Sequence, residues 1–180
     1  MRAFISCEID LANRVLLKEW LQSAQKVTPN MRWTEEDQLH LTLQFLGEIS
    51  PLQANQLSAL LEEVLEDFQS FSLEFADLFA LGKPPRILAL KLRMTDQLAQ
   101  LVRQIHYTTQ RIGILSGQLA YRPHITLGRL KASYGEIMLG NWPELPRLST
   151  WQVREIYLKE SILGSKGAKH HTIESFILNG

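Results

Sequence analysis

The chain has 180 residues, 45% of them hydrophobic, with 19 Lys+Arg against 19 Asp+Glu. That composition suits one soluble globular domain and excludes a disordered chain, which needs lower hydrophobicity and a larger net charge. A formal charge of zero argues against a protein that grips a long nucleic acid by its phosphates, and leaves room for a small anion, a nucleotide or a strand end in a local pocket.

Residues 2–9 alternate and read as a first strand. Cys7, the one cysteine, lies in that strand and reads as a small buried residue. It can form neither an intrachain disulfide nor a thiolate metal cluster. A cytoplasmic protein is expected, since the N-terminus shows no signal-peptide run and no segment is apolar over a membrane-spanning length. Asp10 is placed to cap a helix carried by Leu11, Val15, Leu16, Trp20, Leu21 and Ala24. Met31 to Thr34 is expected to be extended, and Leu39 to Leu46 reads as a strand ended by Gly47.

Ser50-Pro51 opens a second helix. Phe71 to Leu81 and Arg86 to Arg93 alternate as two strands around a "GKPP" turn, and Thr95 is placed to cap a helix over 96–112. After a turn near Ser116-Gly117, residues 123–130 read as a strand, and residues 133–147 as irregular. Trp151 to Leu158 and His171 to Leu178 close the chain as strands around a "GSKGAK" turn. Several strands separated by short turns indicate antiparallel pairing, hence an α+β fold rather than a doubly wound parallel sheet.

Two apolar segments carry the same words: "HLTL" at 40–43 and "HITL" at 124–127. On a strand, residues i and i+2 share a face. His40 and Thr42 therefore project together, away from Leu41 and Leu43, and His124 and Thr126 away from Ile125 and Leu127. Two imidazoles flanking a phosphorus can serve as general acid and base in an in-line displacement. Two threonine hydroxyls can hold the non-bridging oxygens, and that scheme calls for no metal or cofactor. A lone strand histidine is more often structural, but two copies in the same order favour the functional reading. Gly128 is expected on the face of His124, leaving space for a ligand.

"HLTLQFLGEI" and "RPHITLGRL" resemble the two motifs of the two-histidine (2H) phosphoesterases, and in particular the LigT-like RNA 2′,3′-cyclic phosphodiesterases once named 2′-5′ RNA ligases. Softer similarity runs through "MRAFISCEID", "KPPRILALKL" and "IYLKESILGSKGAKHHTI". The resemblance implies one two-lobed domain over 1–180, with a pseudo-twofold, antiparallel sheets around a central cleft and helices outside. It implies His40 and His124 as the catalytic pair, with Thr42 and Thr126 on the phosphate. For hydrolysis to a 2′-phosphate, His40 is assigned as acid and His124 as base.

Arg129 matches a basic residue common after the second motif. On a regular strand it points away from His124, so a bulge is needed to bring it to the phosphate. Phe45 is read as core in preference to a base-stacking surface, and Arg32 and Trp33 as cleft lining or surface packing. His170, where relatives often carry Tyr, and His171 lie on opposite faces of a strand and so do not chelate one ion together. His106 reads as a helix-surface or packing residue.

The implied substrate is an RNA end or small nucleotide with a 2′,3′-cyclic phosphate, opened without metal, with 2′-5′ ligation as the reverse. A monomer with no membrane association is expected. Two alternatives share the motifs: another 2H activity on a cyclic nucleotide or 2′-5′ linkage, and a non-catalytic module that binds RNA ends.

Overall fold

The computed structural model describes residues 1–115, 120–138, 142–164 and 167–180. The sequence readings at Ser116-Gly117, and parts of those at 133–147 and "GSKGAK", lie outside the described residues.

The chain opens with β1 (Arg2–Glu8) and α1 (Leu11–Val27). The Asp10 carboxylate accepts from the backbone N–H of Asn13, so the cap forms as expected. Leu17, Trp20, Leu21 and Ala24 are the buried apolar positions of α1, whereas Leu11 and Val15 are exposed. After β2 (Met31–Trp33) and a 3-10 turn at Glu36–Gln38, β3 runs over His40–Glu48. α2 (Pro51–Leu65) starts with a capping box in which Ser50 and Gln53 exchange side-chain-to-backbone hydrogen bonds, with Pro51 in the first turn.

The long strand expected over Phe71 to Leu81 is divided into β4 (Phe71–Leu73) and β5 (Phe75–Leu81), which join different sheets. β6 (Ile87–Leu92), α3 (Asp96–Arg111, capped by Thr95) and β7 (His124–Leu130) follow. The strand expected over Trp151 to Leu158 is likewise broken, at Arg154, into β8 (Trp151–Val153) and β9 (Glu155–Gly164). β10 spans Gly167–Ile177.

One sheet runs β10-β9-β1-β3-β7-β6-β5, with β2 also paired to β7, and β4 pairs β8 in a second, two-stranded sheet. All these strand pairings are antiparallel, which gives the α+β class expected from the sequence. The motif strands β3 and β7 are neighbours at the middle of the large sheet. Each is flanked by an antiparallel strand that precedes it across a helix: β1, α1 and β3 on one side, β6, α3 and β7 on the other. That repeat is the pseudo-twofold.

The main core lies on one face of the sheet. Ile5 and Cys7 of β1, Leu41 of β3, Ile125 of β7 and Leu88 and Leu90 of β6 are fully buried there. The opposite face carries the motif side chains.

Candidate active site

β3 and β7 meet through the pair Leu41 and Ile125. In an antiparallel ladder the neighbours of that pair run His40 against Thr126 and Thr42 against His124. The four side chains therefore fall together on the face away from the core, each histidine beside the threonine of the other motif. All four are partly exposed, while Leu41, Leu43, Ile125 and Leu127 are buried.

The two histidines are held in the same way. His40 Nδ1 donates to the Gln38 carbonyl at 2.7 Å, and His124 Nδ1 donates to the Arg122 carbonyl at 2.7 Å. A carbonyl only accepts, so the neutral ring carries its proton on Nδ1. In both rings Nε2 is left with the lone pair, ready to take a proton or, once charged, to give one.

Each motif strand also carries a β-bulge at the same place. Against β1 the register jumps from Ser6↔Thr42 to Ile5↔Gln44, so Leu43 is the extra residue. Against β6 it jumps from Ala89↔Thr126 to Leu88↔Gly128, so Leu127 is the extra residue. A bulge reverses the alternation of all that follows. Arg129 is thereby returned to the face of His124 and Thr126, by the device the sequence reading required. Phe45, its counterpart on β3, comes to the same face and is 67% exposed, which corrects the expectation of a core residue.

Gly128 is corrected for the same reason: it turns to the side of Leu88, away from His124. A Cβ there would lie 3.0 Å from the Trp33 ring, 3.1 Å from the end of Met31 and 3.2 Å from the Arg32 carbonyl. Its lack of a side chain admits β2, not a ligand. Arg32 and Trp33 take different roles. Arg32 pairs directly with Arg129 and shares its face, whereas Trp33 packs edge-on between Trp20 and Trp142 at 6.2 and 5.8 Å.

The surroundings of the two histidines differ. His40 lies 5.0 Å from the Phe4 ring and 5.3 Å, edge to face, from His170. Lys159, buried behind them, is bonded to Glu8 and lies over the Tyr157 ring at 5.2 Å. Burial, followed by the charges of His170 and Lys159, outweighs the Gln38 bond and lowers the His40 pKa to about 4. Burial and Lys159 lower His170 as well. On the other side, His124 meets the edge of Phe79 at 6.0 Å, and Lys91 is its cross-strand neighbour on β6.

His170 is thus a contact of the first motif histidine. His171 is the next residue on β10 and faces the other way, as expected from the sequence. His106 pairs with Gln110 on α3, 2.9 Å apart, away from the site. Cys7 is buried, and burial pushes its thiol pKa far up.

Sequence reasoning missed Phe4, Glu8, Phe79, Tyr121, Lys159 and Ser6. Tyr121 donates to the Thr42 carbonyl at 3.0 Å and ties the approach to β7 onto β3. Ser6 is fully buried beside Thr42, and no partner for its hydroxyl is found among the described residues. Alternation marked Phe4, Ser6 and Glu8 as one face of β1, but only the strand order shows that this face continues into the motifs.

The chain is similar to known proteins over most of its length. A family model described as LigT-like phosphoesterase matches residues 12–89. The RNA 2′,3′-cyclic phosphodiesterase of Archaeoglobus fulgidus is 26% identical over 98% of this chain and 99% of its own. That of Thermotoga maritima is 29% identical over 73% of this chain and 71% of its own. Among solved structures, E. coli LigT complexed with 3′-AMP superposes with a TM-score of 0.84 at 23% identity, covering 99% of this chain and 98% of that one. A protein from Thermus thermophilus gives 0.85 at 24% identity, covering 100% and 99%. These superpositions speak for the fold.

Proposed function

We propose that this chain, which is similar to a LigT-like phosphoesterase model over residues 12–89 and to curated RNA 2′,3′-cyclic phosphodiesterases over most of its length, opens a 2′,3′-cyclic phosphate at an RNA end to a 2′-phosphomonoester, without a metal ion. The observation that carries the reading is the crossed pair of His-Thr units on one open face, each histidine with Nδ1–H tied to a backbone carbonyl. The relatives named above are RNA 2′,3′-cyclic phosphodiesterases, and their similarity spans most of the chain.

In the reaction, Thr42, Thr126 and Arg129 hold the non-bridging oxygens of the phosphate. One imidazole takes a proton from water as its oxygen attacks phosphorus. The P–O3′ bond breaks, and the other imidazole protonates the departing O3′. The lowered pKa leaves His40 neutral in the empty site, which is the proton-accepting form. This reverses the roles assigned from the sequence: His40 acts as base and His124 as donor. With the 5′-hydroxyl of a second RNA end in place of water, the same groups form a P–O5′ bond as P–O3′ breaks, which leaves a 2′-5′ linkage, and the abundance of water favours hydrolysis.

The test is cleavage of a short RNA with a terminal 2′,3′-cyclic phosphate in EDTA, comparing wild type with His40→Ala and His124→Ala. Ring opening to a 2′-phosphate is expected, with a loss on the order of 10²–10⁴-fold in each variant. Tight binding of the RNA end without turnover would leave only a binding module. Loss of wild-type activity in EDTA, restored by a divalent metal, would overturn the metal-free scheme.

A further inference from the structure

Beyond the motifs, the same face of β7 leads to a pocket of about 440 Å³ lined by Arg32, Arg86, Arg129, Leu130, Lys131 and Ala132. Four of these six are cations and none is an acid. Arg32 and Arg129 sit directly opposite on β2 and β7, an arrangement that repels, since like charges across a ladder destabilise it. Arg86 is held by the Lys131 and Gly135 carbonyls at 2.7 and 3.2 Å, and Lys131 by the Pro29 carbonyl at 2.9 Å. Those contacts orient the two side chains without cancelling their charge. Among the described residues none of the four is in an ion pair. In a chain of zero net charge, such a concentration needs an anion to complete it.

We infer that this pocket binds the phosphodiester on the 5′ side of the cyclic phosphate, so that the enzyme selects an oligonucleotide over a cyclic mononucleotide. The inference rests on the phosphodiesterase reading for its first phosphate. Because of the bulge at Leu127, Thr126 and Arg129 pair with Ala89 and Ile87, two residues or about 7 Å apart along β6, a distance of the order that separates neighbouring phosphates in an extended strand. Arg129 stands between the two positions. Arg32 lies beside it on β2, and Arg86 and Lys131 lie beyond it, away from Thr126. Guanidinium groups suit this task because they engage phosphate oxygens two at a time. A 3′-terminal cyclic phosphate has its chain only on the 5′ side, so a second phosphate must come from there.

The experiment compares cytidine 2′,3′-cyclic phosphate with CpC ending in a 2′,3′-cyclic phosphate, on the full chain and on Arg32→Gln, Lys131→Gln and the double variant. The wild-type kcat/KM is expected to favour the dinucleotide by about tenfold or more, the scale of one charge-assisted hydrogen bond. The ratio should fall toward one in the double variant, and rising salt should narrow it in wild type. A wild-type ratio of one, or a ratio the variants leave unchanged, would overturn the inference. The Kd values of the two 2′-phosphorylated products supply a second readout. If neither cyclic substrate turns over, the phosphodiesterase reading fails, and the Kd ratio and its response to the variants still decide the pocket. Far-UV circular dichroism identifies a variant that has merely unfolded.

Discussion

His40 is packed by Phe4 and by the ring of His170, with the Lys159–Glu8 pair beyond, whereas His124 meets one aromatic edge and an exposed lysine. The same motif is thereby set in two electrostatic settings. With its pKa held at about 4, His40 is neutral throughout the range in which most proteins work, and with Nδ1–H tied to the Gln38 carbonyl its Nε2 can then only accept a proton. The pH dependence of kcat/KM reports groups in the free enzyme. With His40 as base, kcat/KM on the cyclic dinucleotide should rise as pH passes about 4 and hold its acid-side plateau at pH 6. With His40 as acid it would instead fall as pH rises through that same value. Lys159→Met removes a cation that lowers the His40 pKa, so the limb governed by His40 should move to higher pH. A limb that does not move would remove Lys159 from the electrostatics of the site.

At the scale of elements, the paired bulges at Leu43 and Leu127 decide which side chains reach the site. The caps, the three helices and most strands were legible in the sequence, because apolar period and cap chemistry are local signals. Phe45 and Gly128 were misread because strict alternation was carried past Thr42 and Thr126. A bulge leaves no mark in one strand alone, since it exists only as a mismatch with a partner. The strand breaks at Glu74 and Arg154 were missed for a related reason: the alternation continues while the pairing partner changes. Arg129 shows the converse, a residue whose place on the face of His124 called for a bulge that the sequence itself did not display.

Gly128 tests this account. In Gly128→Ala the new methyl meets the Arg32 carbonyl at 3.2 Å as well as two side chains. β2 must then yield, because backbone moves less readily than the end of Met31. We expect a loss of about 1–3 kcal/mol, the usual cost of overpacking, measured by urea denaturation. An unchanged midpoint would mean that β2 is held less closely than the geometry shows.

For the molecule as a whole, the question is how two repeats joined through so few strand contacts act as one unit. The large sheet is continuous only because β3 pairs β7 at Leu41 and Ile125. Both side chains are fully buried in a core that also takes in Ile5 of β1 and Leu90 of β6. The core, more than the ladder, then couples the two halves. It also fixes the site, since the residues on either side of that central pair are the histidines and threonines themselves. Leu41→Ala should cost about 2–5 kcal/mol, as for other large-to-small changes in a packed interior. It should still leave a single cooperative transition. Tryptophan fluorescence follows the Trp20, Trp33 and Trp142 cluster at β2 and α1 together with Trp151 of β8, which stacks on Phe75, and a Trp151→Phe substitution confines it to the cluster, while far-UV circular dichroism follows all three helices. Coincident urea curves by both probes, shifted together to lower midpoint, fit one core with the site at its seam. Curves that separate in the variant would show two halves that fold independently and meet only at the ladder.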